Sequence, residues 1–314
     1  MLTLTSLEIK TKKRLQTEER LRFHRITRED IPVLSRYLTA FGSESCDYSI
    51  GGILMWTDYF KYEMAEYRST LFMKGKSLTG NGTLFSLPIG EMALNDSLAE
   101  LRHYCREEHT DCAVMCCTAD RERLCSTSGS DDCEEQPHWR DYLYDINSLA
   151  TFAGKKMSKK RNHLNAFHAL YGDAVVSGIT PADADELVAF TQRFEDNRDD
   201  NEMGLYEAEA TVKVIRHLSD YPFSGIVIRL HGEVIGFTIG EVIGHTLFAH
   251  IEKGNTDYRG VYQALCSGYC SLIREKYPEV KFVNREDDAG SEMLMKSKLS
   301  YNPVGFVDKY VVRF

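Results

Sequence analysis

The sequence contains no long apolar run, no secretory leader and no familiar nucleotide-binding loop. No segment approaches about 18 uncharged apolar residues, so we expect no transmembrane helix. The first residues are charged from Glu8 to Arg14 and include no apolar core, which predicts no signal peptide and a cytoplasmic location. A Walker A loop, a G-x-G-x-x-G loop after a strand and a G-x-S-x-G elbow are all missing. Their absence argues against P-loop, dinucleotide-binding and serine-hydrolase chemistry.

The cysteines do not form a metal-binding pattern. There are nine in 314 residues, and an odd number without a secretory signal favours free thiols over a disulfide framework. No Cys-x2-Cys pair faces a second pair at zinc-finger spacing. Cys112–Cys117 is typical of a buried strand, in which free cysteine acts as a small apolar side chain. We therefore predict no metal site.

One basic segment stands out in an acidic chain. The net charge of −9 argues against extended binding to nucleic acid or anionic membranes, so such contacts need a local basic patch. Five of the seven residues Lys155–Arg161 are basic, and Met157, Leu164 and Phe167 follow at helical spacing. This pattern predicts an amphipathic basic helix. Either it is a solvated connector, or an anion neutralises its self-repulsion.

The two halves of the chain repeat one order of predicted elements. Thr27 with Asp30, and Thr180 with Asp183, have the spacing of a helix capping box. In each half a run of antiparallel strands, a helix, a short strand and an aromatic closing strand follow. We interpret the chain as two copies of an α/β unit with a mixed sheet. The predicted domains are an arm (1–20), a first half (21–153), the basic helix (154–172) and a second half (173–314).

A strand, turn and helix form the central stretch of the second half. Thr246–Ile251 has the composition of a buried strand, Lys253–Asp257 is rich in turn formers, and a helical apolar stripe begins at Val261. Such a junction directs free backbone N–H groups at one point, which suits a phosphate, a carboxylate or an oxyanion. An ordinary β-to-α connection fits the same pattern.

Polar side chains are predicted to converge at this end of the sheet. Strand alternation places His250 and Glu252 on one face, where either could act as a general base or simply face solvent. Asn284–Asp288 follows the next strand, so we expect it at the same edge. Tyr301, after the next predicted helix, could donate a proton to a leaving group.

Three motifs carry a resemblance to a known family. They are Gly154–Asn165, Glu252–Gln263, and Asn284–Gly290 together with Lys298–Val304. With them the chain resembles the phosphatidylglycerol lysyltransferase C-terminal family, which is similar to tandem GNAT-type acyltransferases and Fem-type aminoacyltransferases. The similarity runs from about Gly154 to the C-terminus, and the doubled layout extends it over nearly the whole chain.

The resemblance implies an α/β fold of tandem GNAT-like domains, each a mixed, mostly antiparallel sheet flanked by helices. It implies transfer of an acyl or aminoacyl group, with aminoacyl-tRNA as a candidate donor, to an amine or hydroxyl such as a lipid head group. The implied catalytic residues are Glu252, Asn284 and Tyr301. The implied donor- or phosphate-binding residues are Lys159, Lys160, Arg161, Asp257, Tyr258, Arg259 and Gly260. The implied substrate-binding residues are His250, Lys253, Arg285 and Glu286.

The donor is left open between aminoacyl-tRNA and acyl-CoA, and no other cofactor is predicted. Aligning the CoA loop of GNAT enzymes on Gly260 puts Asp257 at its Gln/Arg position and Tyr262 at its second small position. A bulky Tyr262 would crowd a pyrophosphate, so CoA is the less favoured donor. A third reading is a non-catalytic module that binds anionic lipid or RNA through Lys155–Arg161. The oligomeric state is not predicted.

Overall fold

The computed structural model describes residues 20–77, 82–195 and 202–314, so the predicted arm lies outside the described residues except for its last position. In these ranges the chain forms ten α-helices and two β-sheets. None of the described helices combines the length and apolarity needed to cross a bilayer. The helices are α1 (Ile31–Phe41), α2 (Ile50–Phe60), α3 (Leu94–Glu107), α4 (Thr118–Ser128), α5 (Ile146–Thr151), α6 (Ser158–Leu170), α7 (Ala184–Glu195), α8 (Glu202–Arg216), α9 (Val261–Lys276) and α10 (Glu292–Leu299). The strands are β1 (His24–Arg25), β2 (Glu63–Tyr67), β3 (Thr70–Lys76), β4 (Thr83–Ser86), β5 (Ile89–Gly90), β6 (Ala113–Cys117), β7 (Cys133–Glu135), β8 (Asp141–Asp145), β9 (Val175–Gly178), β10 (Ser224–Leu230), β11 (Glu233–Ile243), β12 (Thr246–Gly254), β13 (Phe282–Asn284), β14 (Gly305–Val307) and β15 (Lys309–Arg313).

The two sheets share one strand order. The first runs β1-β2-β3-β4-β6-β15-β7, with β5 paired to β3, and the second runs β9-β10-β11-β12-β13-β8-β14. In each sheet the fourth and fifth strands are parallel, and all other neighbours along the order are antiparallel. The predicted fold class, an α/β protein with two mixed and mostly antiparallel sheets, is confirmed.

Each half completes the sheet of the other half. β15, the last strand of the chain, lies between β6 and β7 in the first sheet. β8, the closing strand of the first half, lies between β13 and β14 in the second sheet. The patterns predict both strands but not their partners, because pairing across this distance leaves no local signal. The boundaries at 21–153 and 173–314 stay a prediction, and a sheet built on either range alone lacks one internal strand.

Both predicted capping boxes are present. The Thr27 backbone N–H donates to Asp30 Oδ2 at 2.8 Å, and the Thr180 N–H donates to Asp183 Oδ2 at 2.6 Å. Each box begins a short 3-10 turn that leads into α1 or α7. The caps satisfy backbone donors that the first turn of a helix leaves unpaired.

The helix α9 anchors the core of the second half. Its apolar stripe, Val261, Leu265 and Tyr269, is fully buried, and α5 and α6 pack against it. On the opposite face of the sheet, α7 and α8 cover Phe237 and Ile251, and α2 of the first half packs on α8. The halves are therefore joined by helix packing as well as by the exchanged strands.

Candidate active site

The gap between β12 and β13 positions the candidate site. These parallel strands pair through only three residues, ending at Phe248 opposite Asn284. β12 continues to Gly254, whereas β13 stops. The segment after β13 instead contacts β12 through side chains: Arg285 Nη2 donates to Glu252 Oε1 at 2.8 Å, and Glu286 Oε1 lies 2.7 Å from His250 Nδ1. The two polar segments predicted from the sequence therefore meet.

Five side chains form what we call the cationic cluster: Lys160, Glu252, Gln263, Arg285 and Tyr301. The Lys160 ammonium lies 3.6 Å from the Tyr301 ring centre, and the Arg285 guanidinium lies 4.6 Å from it. Gln263 Nε2 donates to the Tyr301 hydroxyl at 2.8 Å. Elements distant in sequence, α6, β12, α9 and the segments after β13 and α10, thus bring two cations and one carboxylate to one phenol ring.

Burial sets the protonation of this cluster. Burial lowers the pKa of Lys160 to about 8, and the nearby Arg285 charge adds to the effect. Burial opposes the charge of Arg285, but the Glu252 carboxylate holds the Arg285 pKa well above its ordinary value. Burial raises the pKa of the Tyr301 phenol, so the hydroxyl stays protonated at neutral pH. Lys160 is therefore the group of the cluster that can exchange a proton near neutral pH.

One donor of the cluster is unsatisfied. Arg285 Nη1 is buried and has no hydrogen-bond partner within the described part of the chain. An unsatisfied buried donor costs about 1 to 3 kcal/mol, so its presence calls for a physical reason such as a catalytic role or a bound ion. Within the described residues, Arg285 Nη1 therefore keeps unused hydrogen-bond donor capacity.

His250 lies at a β-bulge, and the predicted shared face with Glu252 is wrong. Ile239 pairs with Ile251 and Gly240 with Ala249, so His250 is the extra residue on β12. A bulge reverses the alternation of side chains beyond it. Glu252 consequently faces the cationic cluster, while His250 faces Glu241 on the other side of the sheet.

His250 connects the two halves. Its ring is fully buried, with Nδ1 2.7 Å from Glu286 Oε1 and Nε2 3.0 Å from Glu241 Oε1. Glu241 also accepts the Gly51 N–H at 2.5 Å, at the first turn of α2. Both ring nitrogens face carboxylates, so the ring donates two hydrogen bonds as an imidazolium. The arrangement gives His250 a structural task, and its predicted substrate contact stays a prediction.

A second polar cluster lies between the halves, and sequence patterns missed it. Lys309 Nζ lies 2.8 Å from Asp141 Oδ1 and 2.7 Å from Asp47 Oδ2. Asn284 Nδ2 donates to Asp141 Oδ2 at 2.8 Å and to the Glu44 carbonyl at 2.6 Å. Lys309 and Asp141 lie on the two exchanged strands, so only the pairing of those strands reveals the cluster. Asn284, predicted to be catalytic, is fully buried here.

This second cluster includes three potential metal ligands. Cys46 Sγ and carboxylate oxygens of Asp141 and Asp287 lie within 4.8 Å of one another. The Lys309 ammonium lies 3.5 Å from that sulfur and already neutralises Asp141. A cation is thus supplied by the chain itself, and we assign no metal to this position.

The basic helix and the central turn touch. A Cβ on Gly260 would lie 2.2 Å from the His163 carbonyl oxygen, and Gly260 has a φ of +88°. The Arg259 N–H donates to the Tyr171 hydroxyl at 3.3 Å, and Tyr258 packs edge-on against Tyr171. Glycine is required here because the turn and α6 approach at backbone distance.

The seven predicted donor-binding residues do not surround one point. Lys160 belongs to the cationic cluster, whereas Lys159 is exposed and Arg161 Nη1 donates to the Phe152 and Gly154 carbonyls. In the turn, Asp257 and Arg259 are exposed. Of the predicted substrate-binding residues, Lys253 points to the opposite face, where it pairs with Glu207 at 3.0 Å. The roles of these residues stay predictions.

Comparisons with known proteins agree with this fold. A family model described as phosphatidylglycerol lysyltransferase, C-terminal, matches residues 39–313. An uncharacterized protein of Mycoplasmoides gallisepticum is 30% identical over 176 residues, 55% of this chain and 56% of that protein. The match thus spans little more than half the length of this curated relative.

Solved structures are similar over nearly the whole chain. A protein of unknown function from Bacteroides thetaiotaomicron has a TM-score of 0.86 at 26% identity, covering 94% of this chain and 99% of that one. The C-terminal domain of a putative lysylphosphatidylglycerol synthetase from Agrobacterium fabrum has a TM-score of 0.64 at 13% identity, covering 91% of each chain. FemX has a TM-score of 0.59 at 8% identity, covering 94% of this chain and 98% of its own. The last two likenesses show a shared fold.

Proposed function

This chain belongs to the phosphatidylglycerol lysyltransferase C-terminal family, and on that premise we propose that it transfers an activated aminoacyl group from aminoacyl-tRNA to an acceptor. The acceptor is a hydroxyl or amine, such as that of a lipid head group. Family and fold neighbours support an acyltransferase-type activity in general. The observation that carries the proposal for this chain is the convergence of Lys160, Arg285 and Tyr301 beside the β12–β13 gap.

The reaction needs positioning more than covalent catalysis. The acceptor oxygen or nitrogen attacks the ester carbonyl, a new ester or amide bond forms, and the terminal ribose hydroxyl of the tRNA leaves with the acceptor proton. The donor ester is already activated, so the protein must hold two substrates and stabilise a tetrahedral oxyanion. This requirement is consistent with a site that has no nucleophile elbow.

The cationic cluster contains a group for each task. The free Nη1 of Arg285 can donate to the developing oxyanion, and one such donor is worth about 3 kcal/mol. Glu252 holds the guanidinium in place from its other side. A pKa of about 8 makes the neutral form of Lys160 accessible near neutral pH, and this neutral amine can take the acceptor proton, become the ammonium, and pass the proton to the leaving hydroxyl. The protonated Tyr301 hydroxyl, oriented by Gln263, is the remaining donor.

The test is a transfer assay with tRNA carrying radiolabelled amino acids, together with anionic lipid vesicles or soluble amines as acceptors. Lys160→Met is expected to lower the transfer rate about 100-fold, because it removes the proton carrier. Arg285→Lys is expected to lower it at least tenfold, because it removes the planar donor. Lys276→Met is the matched control, since Lys276 is exposed at the far end of α9. Equal rates in all three variants would contradict the assignment of the site.

The alternatives have distinct signatures. An acyl-CoA-dependent N-acyltransferase would be stabilised by CoA rather than by charged tRNA in a thermal-shift titration, because only a ligand of the folded state raises the melting temperature. A non-catalytic module would bind anionic lipid or RNA with strong salt dependence and would show no turnover. In that case Glu252→Gln and Tyr301→Phe would leave function unchanged, whereas neutralising the basic residues of Lys155–Arg161 together would abolish it.

A further inference from the structure

The charges around Tyr301 are not balanced. The groups that act on the Lys160 charge are Arg285, Glu252 and the Cys266 thiol. Glu252 is already paired with Arg285 at 2.8 Å, and its side chain is 16% exposed. Lys160 forms no ion pair with any residue in the ranges that the structure describes. The reacting centre therefore carries two cations and a single carboxylate.

The Tyr301 ring cannot stabilise a further cation through a cation–π contact. A phenol ring attracts ammonium groups through its face, typically within about 6 Å of the ring centre. Lys160 at 3.6 Å and Arg285 at 4.6 Å already use the Tyr301 ring in this way. Tyr144 lies beside the same guanidinium, with its ring centre 5.9 Å from Arg285 Cζ. The aromatic groups of the cluster are thus occupied by the protein's own cations.

From this arrangement we infer that the chain prefers donors with a neutral or acidic aminoacyl side chain and rejects cationic ones such as lysyl, with Lys160 as the specificity-determining residue. The inference rests on the proposed function, because it places the acyl carbonyl at Arg285 Nη1. The side chain of the transferred group then extends from a carbon next to that carbonyl, beside the Lys160 ammonium. A lysyl group would bring a third cation into a site with one carboxylate that is already paired.

We set the expected size of the effect from an assumed separation of about 6 Å between the Lys160 ammonium and the lysyl ammonium. Two like charges about 6 Å apart, at the effective dielectric of a partly buried site, disfavour each other by about a hundredfold in an equilibrium or rate constant. Salt screening and rearrangement of the flexible donor reduce this, so we expect discrimination of at least about tenfold. The negative charge of a glutamyl side chain would instead be attracted by the Lys160 and Arg285 charges. The depressed pKa of Lys160 agrees with a site that already resists positive charge.

The experiment compares donors that differ only in side-chain charge. One tRNA is charged with norleucine, lysine or glutamate, and kcat/KM is measured for each donor with one acceptor at pH 7. Norleucyl and glutamyl donors are expected to exceed lysyl by at least about tenfold. In Lys160→Met, whose overall rate is low, the ratio of norleucyl to lysyl is expected to fall severalfold. Lys276→Met, the exposed control, should keep the wild-type ratio.

The pH dependence of the ratio distinguishes charge from shape. Raising the pH from 7 to 9 neutralises Lys160, so the discrimination against lysyl should shrink in the wild type and stay constant in Lys160→Met. A merely structural role of Lys160 would change rates without changing this ratio. A lysyl preference, or a ratio equal in wild type and Lys160→Met, overturns the inference while the proposed transfer stands.

A binding measurement tests the inference if no donor reacts. The melting temperature of the wild type is measured with lysine methyl ester, norleucine methyl ester and glutamate α-methyl ester at equal concentrations. The inference expects the lysine ester to give the smallest shift, and expects Lys160→Met to reduce the difference. Absence of turnover with every donor counts against the proposed function, whereas the largest shift for the lysine ester counts against the inference.

Discussion

The buried His250 bridge makes a quantitative prediction for the pH dependence of stability. Burial alone would lower the pKa of His250, but its hydrogen bonds to Glu241 and Glu286 raise it from 6.5 to about 9. One pKa unit corresponds to about 1.4 kcal/mol, so the charged bridge contributes about 3 kcal/mol to the free energy of unfolding. Because the folded pKa is the higher one, this contribution is complete below pH 6.5 and is lost as the pH rises through 9.

Between pH 6.5 and pH 8, the change in the free energy of unfolding comes mainly from His250. Burial raises the pKa of Asp287 to about 6, so its titration in the folded state is largely over at pH 6.5. The pKa of Lys160 is lowered to about 8, so its charge destabilises the folded state at lower pH, and this penalty is relieved mainly above pH 8. Across 1.5 pH units, the loss attributed to His250 is about 2 kcal/mol. Salt should change it little, since the ring is fully buried.

The measurement is urea unfolding of the wild type and of His250→Gln at pH 6.5 and pH 8. The wild type is expected to lose about 2 kcal/mol between these values, whereas His250→Gln, which cannot titrate, should lose less than about 0.5 kcal/mol. His250→Gln should also be less stable at pH 6.5, because it leaves the buried Glu241 carboxylate and the partly buried Glu286 carboxylate with weaker donors. The same slope in both proteins would refute the assignment of a charged His250.

Three further predictions concern the frame around the site. Gly260→Ala should destabilise the protein by about 1 to 3 kcal/mol more than Gly232→Ala in urea unfolding. Both glycines have positive φ, but only at Gly260 would the added Cβ lie close to a carbonyl oxygen, at 2.2 Å. Equal losses of stability in the two variants would contradict the close approach of α6. Thr180→Ala should lower the free energy of unfolding by about 1 kcal/mol and Thr180→Ser should leave it almost unchanged, because the capping box uses only the hydroxyl and the backbone of this residue. An unchanged free energy of unfolding in Thr180→Ala would contradict a stabilising role of the box. Deleting residues 309–314 removes β15 and the partner of Asp141, so cooperative thermal melting by circular dichroism should be lost; a truncated chain that melts like the full one would disprove the strand exchange.

Features that depend on neighbouring residues could be predicted from the sequence alone. The boxes at Thr27 and Thr180, and the strand and helix around the Lys253–Asp257 turn, follow from patterns of a few residues. Hydrogen bonds within one turn join residues that are close in sequence, and the spacing of apolar residues repeats over a few positions. Both can therefore be recognised in a short stretch of sequence. The motifs at Glu252 and Asn284 also identified the family.

Tertiary structure alone decided the partners of those elements and the balance of charge between them. A bulge on β12 turned His250 away from Glu252, and the exchange of β8 and β15 brought Lys309 to Asp141. Neither event can be read from the local sequence: a strand has the same alternation whichever sheet it joins, and the extra residue of a bulge becomes evident only when the paired strand is known. Burial likewise follows from packing over the whole chain, and it is burial that makes Lys160 titrate near neutral pH. The sequence thus determined which elements form and which family they belong to, while long-range packing determined which of their side chains share a site.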